Sequence, residues 1–375
     1  MKQTKTIIAG ISRTLLGLVF IFSGAVKAID PFGTVYKIED YLKAFGGFLA
    51  ELLPLADVAA VLLILLEVVL GVCMLLNVRT QWTAWISLLF YLVMTPLTLY
   101  IALTNPVSDC GCFGDAVVLT NWQTFWKNVV LIILSILLVV LRKSVRQLWI
   151  NWMEMLIAAL TIAVAIAFMA WTKHHLPIKD FRPYKVGNHL PTLMEYPDDA
   201  EPDVYEYSFV YEKDGVEQTF TLENYPKGDS TWTFVRQNSK LIQKGYEPPI
   251  HDFEIVNAYG EDMTWDILES EEPVTLVVMY DLAKADKNQM AKVEALASNL
   301  LTSSPDDLLA SSPNFYILTG SGTDEIIAFC MEYPSLSECI CTCDPVTLKT
   351  IVRANPGVIV LQNGVVIDKY NLRNR

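Results

Sequence analysis

Val61-Leu62-Leu63-Ile64-Leu65-Leu66-Glu67-Val68-Val69-Leu70-Gly71-Val72-Cys73 is an apolar run interrupted by a single carboxylate. It sits inside 55–76, long enough to cross a bilayer, which takes about 20 residues. Four comparable runs accompany it, at 7–28, 83–103, 122–141 and 152–171, and hydropathy collapses after Trp171. Glu67 therefore falls near mid-bilayer. An ionisable group at that depth is either part of a functional site or a neutral carboxyl hydrogen-bonded inside the bundle.

The whole-chain averages conceal this division. Of 375 residues 53% are hydrophobic and 18% charged, with a formal charge of −13. Residues 1–172 carry 11 basic and 9 acidic groups, and residues 173–375 carry 17 and 32. The acidity thus belongs to the second half, and a general nucleic-acid partner, which needs a basic footprint, is excluded. The bilayer is the partner that the first half implies. Lys2, Lys5, Arg79, Arg142, Lys143 and Arg146 all fall on one side if five spans exist, while 104–121 has no Lys or Arg. The positive-inside rule then gives an inner-membrane protein with a cytoplasmic N-terminus and puts 173–375 in the periplasm of a diderm cell. The first run reads as a span, because it is long, Arg13 interrupts it and no convincing cleavage site follows. Tryptophans cluster at the span ends, as interfacial anchors do.

The second half reads as a linker with a β-hairpin (173–245), turning at Lys213-Asp214-Gly215, followed by an α/β unit (246–375). Val274–Tyr280 and Phe315–Leu318 suit buried strands, and 287–301 has helical spacing. Asp344-Pro345 opens a helix, and Asn363-Gly364 turns a closing hairpin.

Seven cysteines are present. Asp109-Cys110-Gly111-Cys112-Phe113-Gly114-Asp115 is the most specific motif. In an extended chain residues i and i+2 lie about 7 Å apart, at the limit of disulfide reach, and Gly111 permits a tighter bend. Flanking Asp109 and Asp115 should raise the thiol pKa values. Cys110 and Cys112 are a redox pair, a structural element of the loop, or a metal or cofactor contact; the loop alone supplies too few ligands for a metal. Cys339, Cys341 and Cys343 put three sulfurs on one face if extended, and read as a structural disulfide or free thiols. No metal site is assigned. Cys73 reads as a packing residue. Arg13 either snorkels or pairs with a carboxylate, and Lys27 lies nearer a span end.

Arg13 through Ser23-Gly24-Ala25-Val26-Lys27-Ala28-Ile29-Asp30-Pro31, Glu67 with Leu70-Gly71, and Cys110-Gly111-Cys112-Phe113-Gly114 together resemble the DoxX and MauE membrane families over about residues 1–141. The cysteine signature points to MauE, the methylamine-utilisation branch. The resemblance implies a four-helix domain (1–145) followed by a fifth span (146–172). It implies a role in disulfide formation or maturation of exported proteins for MauE, and quinone-coupled sulfur oxidation for DoxX. On that basis Arg13, Lys27 and Glu67 become candidate cofactor-binding residues, with a quinone as the cofactor and an exported client or thiol partner. Fused chains of this shape look of Bacteroidetes type. Ala354-Asn355-Pro356-Gly357-Val358-Ile359-Val360-Leu361 resembles the stretch before the third strand of thioredoxin domains, which implies that Pro356 is cis. The thioredoxin dithiol would fall within 281–287, which has no cysteine. The expected architecture is a membrane all-α bundle followed by a soluble α/β thioredoxin-like domain. The competing roles are a membrane thiol-redox protein, a non-enzymatic assembly factor with an inactive thioredoxin-like domain, and, weakest, a small-molecule carrier.

Overall fold

Residues 2–107, 109–145, 148–243, 245–301 and 314–375 are described by a computed structural model. Arg146 lies outside the described residues. Five helices are long and apolar enough to cross a membrane. They are α1 (Lys2–Ile29), α3 (Ala56–Leu75), α4 (Thr80–Thr104), α5 (Asn121–Leu141) and α6 (Asn151–His174). Between the first two lies α2 (Pro31–Phe45), a helix the hydropathy reading passes over because it is amphipathic and short. Its start is nonetheless encoded: Asp30 accepts a hydrogen bond from the Gly33 amide at 3.0 Å, and Pro31 fills the first turn.

The bundle core centres on Leu16, Phe20, Leu70, Met74, Tyr91 and Leu138. Helices α1 and α3 approach closely because glycines line their contact. A Cβ on Gly71 would sit 2.5 Å from the Ile21 amide nitrogen, and one on Gly24 would sit 2.8 Å from that of Val68. Such small-residue seams are how membrane helices bring polar groups within bonding distance. Large apolar side chains such as Leu62, Leu89 and Val140 face outward, as lipid contact requires.

After α6 the chain runs through α7 (Leu190–Met194) into two sheets. The first comprises β1 (Val204–Lys213), β2 (Val216–Thr221) and β3 (Thr233–Gln243), antiparallel in the order β2-β1-β3. Asp214 and Gly215 both take positive φ, 54° and 78°, as a tight hairpin needs. The second sheet has six strands: β4 (Val256–Asn257), β5 (Val274–Val278), β6 (Phe315–Thr319), β7 (Ile340–Thr342), β8 (Gly357–Gln362) and β9 (Val365–Asn371), in the order β4-β7-β6-β5-β8-β9. Strands β5, β6 and β7 are parallel, and β8 and β9 form the antiparallel hairpin.

This sheet is buried on both faces. Leu276, Val278, Leu318 and Cys341 face a layer with α8 (Thr264–Leu268) and α11 (Pro345–Ile351). Val277, Phe315, Ile317 and Ile340 face α9 (Met290–Leu301) and α10 (Thr323–Glu332). Continuous apolar strands such as Val274–Val278 follow from that double burial. The stretch read as a linker contributes to the core, since Tyr184 and Leu190 are buried with the first layer. Cys339, Cys341 and Cys343 differ from expectation. Cys339 ends a 3-10 turn (Pro334–Cys339), so strand alternation starts only after it. Cys339 packs on the α9–α10 side, and Cys341 and Cys343 on the other. All are free thiols, and burial pushes Cys341 and Cys343 up to about 12, so they are inert packing groups.

The α/β unit sits on the bundle at the end that carries residues 105–120. Arg353, 7% exposed, bonds Asp30 at 2.9 Å and reaches Asp115 at 3.4 Å. Its guanidinium and the Lys349 ammonium also lie over the Tyr36 ring, at 5.1 and 4.8 Å. Asn371 donates to the His174 carbonyl at 3.1 Å, and Lys173 pairs with Asp57.

Candidate functional site

The α1–α3 seam places three polar side chains together. Lys27 Nζ lies 2.7 and 2.8 Å from the two carboxylate oxygens of Glu67, and both side chains are almost fully buried. Lys27 also donates to Ser23 Oγ at 2.9 Å. Ser23 Oγ in turn faces Glu67 Oε2 at 2.9 Å and the Cys112 carbonyl at 2.8 Å. One hydroxyl hydrogen serves two acceptors, so Ser23 ties either the carboxylate or the cysteine loop at a given moment.

The cysteine loop is held from several sides. Gly111 takes φ +61°, and its amide bonds Asp109 Oδ1 at 2.7 Å. A Cβ on Gly111 would also meet Lys37 Cγ at 2.7 Å, so only glycine suits both the torsion and the space. Lys37 pairs with Asp109 at 2.7 Å, and Tyr41 donates to the Cys110 carbonyl at 2.7 Å. Phe113 packs edge-on against Phe22, and the Lys127 ammonium lies 4.4 Å from its ring centre. The bend brings Cys110 Sγ and Cys112 Sγ to 3.0 Å as free thiols. Closing a disulfide from there requires the sulfurs to approach by only about 1 Å.

The pair is electrostatically asymmetric. The hydrogen bond between the two sulfurs, together with burial, pushes the Cys110 thiol up. Cys112 is lowered by that hydrogen bond and by the charges of Lys127 and Lys27, against the opposing effect of burial. Cys110 is thus raised in the expected direction, though not by the flanking carboxylates, while Cys112 goes the opposite way. Asp109 and Asp115 are turned onto Lys37 and Arg353, and cations face the sulfur instead.

Glu67, Lys27 and both cysteines line one cavity of about 260 Å³. Its walls are largely apolar and aromatic, with Phe20, Phe90, Tyr91 and Met94 from α1 and α4. Its roof is a strap at 177–182. The strap is fastened by Asp180, which bonds Arg182 at 2.8 Å and pairs with Lys369. Burial lowers Lys369 to about 8, and its ammonium also reaches the carbonyls of Tyr184 and Ile351.

Arg13 does not join this site, contrary to its grouping with Lys27 and Glu67. It bonds the carbonyls of Met74 and Leu75 at the far end of α3, capping orphan carbonyls there instead of snorkelling or meeting a carboxylate. Pro356 lies outside the cavity. The Asn355–Pro356 bond is cis, and its loop meets the 281–287 segment, with Asn355 Nδ2 2.7 Å from the Asp281 carbonyl. Sequence reasoning missed Ser23, Tyr41, Lys127 and Arg353. Ser23 was readable in principle, lying one turn before Lys27 on the same helix face. The others meet the loop only through tertiary packing.

The family model described as Methylamine utilisation protein MauE matches residues 5–141. Residues 205–244, which cover most of the three-stranded sheet, match a Domain of unknown function (DUF8463). Comparisons with curated proteins and with solved structures return no match. The matched segment holds four of the five apolar helices, the Lys27–Glu67 pair and the cysteine loop. Residues 5–141 are thus similar to the MauE family, with helices long and apolar enough to cross a membrane, and the chain continues into an α/β domain.

Proposed function

We propose that the protein is a membrane thiol–disulfide oxidoreductase in which Cys110 and Cys112 cycle between dithiol and disulfide, with a quinone as the electron acceptor. The observation that carries this reading is the meeting of the paired sulfurs and the Lys27–Glu67 pair in one apolar cavity. On oxidation the two S–H bonds break, one S–S bond forms, and two electrons and two protons leave the pair. A quinone supplies the chemistry of accepting both. The cavity suits a flat apolar ring, with aromatic walls beside a few polar groups. In this scheme Glu67 accepts a proton during turnover, Lys27 holds that carboxylate in place, and Ser23 links it to the Cys112 backbone. The dithiol is regenerated by exchange with an exported client or thiol partner.

The reading includes an inner-membrane location with the N-terminus in the cytoplasm and the cysteine loop and α/β domain in the periplasm. The distribution of Lys and Arg in the short loops supports it. We read the α/β domain as thioredoxin-like, supported by the cis-proline beside the segment after β5. That segment, 281–287, lacks cysteine, which favours a second role for the domain as a non-enzymatic docking element.

The test is quinol formation by the reduced protein in liposomes with a short-chain ubiquinone. The expected yield is one quinol per chain, abolished in Cys110→Ser and in Cys112→Ser. Loss of general acid–base help in Glu67→Gln should slow it by about a hundredfold. Absence of quinol with the wild-type chain, or an unchanged yield in either serine variant, overturns the reading.

A further inference from the structure

We propose that Lys127 is a positioning residue that holds Cys112 as the thiolate of the cysteine pair. The observation is an ammonium without a counter-charge. Lys127 lies in the second turn of α5, whose start is fixed by a Thr120–Gln123 capping box. Its Nζ is 4.4 Å from the ring centre of Phe113, the residue next to Cys112, and both Lys127 and Cys112 line the cavity. Four cations on that side have a carboxylate, whereas Lys179 of the strap, which also lines the cavity, lies over the Phe181 ring at 5.1 Å. Lys27 has Glu67, Lys37 has Asp109, Arg353 has Asp30 and Asp115, and Arg182 has Asp180. Among the described residues Lys127 forms no ion pair with a carboxylate. Lys127 is partly buried there, and a nearby anion would favour its charged form.

Among the described residues, the elements around the sulfur offer no unpaired carboxylate. From α1 and α3 come Lys27 and Glu67, already joined. From α2 come Lys37, bound to Asp109, and Tyr41, which donates to the Cys110 carbonyl. From α4 comes Tyr91, buried and without a carboxylate. The loop's Asp115 is turned onto Arg353, and the strap adds Lys179 and the Asp180–Arg182 pair. What remains for Lys127 is the Cys112 sulfur. Cys110, 3.0 Å away, supplies the second stabilising contact as a thiol donor. The thiolate forms by loss of one proton to water at the cavity mouth, and no electrons move in that step. The meaning of this thiolate for turnover rests on the redox reading above, but its ionisation is measurable without turnover.

The experiment is alkylation of the reduced full-length protein in detergent micelles by iodoacetamide. Modification at Cys112 is followed by peptide mass across a pH series. The midpoint of the pH profile reports ionisation and does not change with accessibility, which alters only the plateau rate. In the wild type the midpoint should fall below the roughly 8.5 of an ordinary thiol. Lys127→Met should raise it by about one unit or more, a tenfold loss of thiolate at a fixed pH below it. Lys127→Arg should restore it, and Lys127→Gln serves if the Met variant does not fold. An unshifted midpoint in the neutral variants, or a wild-type midpoint at the ordinary value, overturns the assignment. A shifted midpoint without quinol formation upholds Lys127 and contradicts only the cycling.

Discussion

Glu67→Ala should cost the protein about 3–5 kcal/mol, because it leaves the Lys27 ammonium buried with only Ser23 as partner. Lys27→Met should cost a similar amount for the mirrored reason. The double variant Lys27→Met/Glu67→Gln removes both charges, and an apolar replacement of a buried pair is often neutral. Its stability should therefore return most of the way towards wild type. The coupling between the two sites should be several kcal/mol, well outside the additivity error of about 0.5 kcal/mol. Thermal unfolding of all four proteins in one detergent measures it. The double variant also separates structure from function: it should fold and yet fail to form quinol at the wild-type rate. If the double variant is no more stable than the singles, the pair is not a self-contained ion pair and Glu67 must have another essential partner.

Arg353→Ala should release the α/β domain from the bundle. The guanidinium bonds both Asp30, at the start of α2, and Asp115, in the cysteine loop. Removing it leaves two carboxylates facing each other at a closed interface. Asp30 is nearly buried, but the side chain of Asp115 is 46% exposed and will hydrate, so the expected cost is roughly 3 kcal/mol rather than the full value of a buried pair. Lys cannot present the same forked geometry to two carboxylates, and Arg353→Lys should recover only part of the loss. Limited proteolysis within 175–183 reports the release, since the strap is fastened to the domain by Lys369 and Arg182. Faster cleavage in Arg353→Ala with unchanged bundle unfolding is the expected result. Equal cleavage in variant and wild type would mean that the aromatic contacts of Tyr36 suffice to hold the domain.

The parts of this structure that hydropathy and turn chemistry control were legible in the sequence. The five spans follow from apolar runs of sufficient length, and the two hairpins from Lys213-Asp214-Gly215 and Asn363-Gly364. Strand β7 was not legible, since three residues offer no period, and β3 was hidden because its alternation is weak and largely polar. The site was half legible. A lone carboxylate in an apolar run singled out Glu67, and Gly between two cysteines singled out the loop. That Lys27 would reach Glu67 depended on the glycine seam, which is a property of two helices and not of either one. Arg13 shows the same limit from the other side: its charge was visible, but the carbonyls that satisfy it belong to another helix. Arg353 reaches the loop from far along the chain and Lys127 from the helix that follows it, and nothing local to either marks that approach.

The central claim, that Cys110 and Cys112 are a cycling pair coupled to the cavity, is tested most directly by their redox state in native membranes. Membranes are quenched in acid with the quinone pool held either oxidised or reduced. Free thiols are then alkylated, and the peptide spanning 105–126 is weighed. The account predicts a Cys110–Cys112 disulfide when the pool is oxidised and two alkylated thiols when it is reduced. The same state under both conditions, whether dithiol or disulfide, would contradict it.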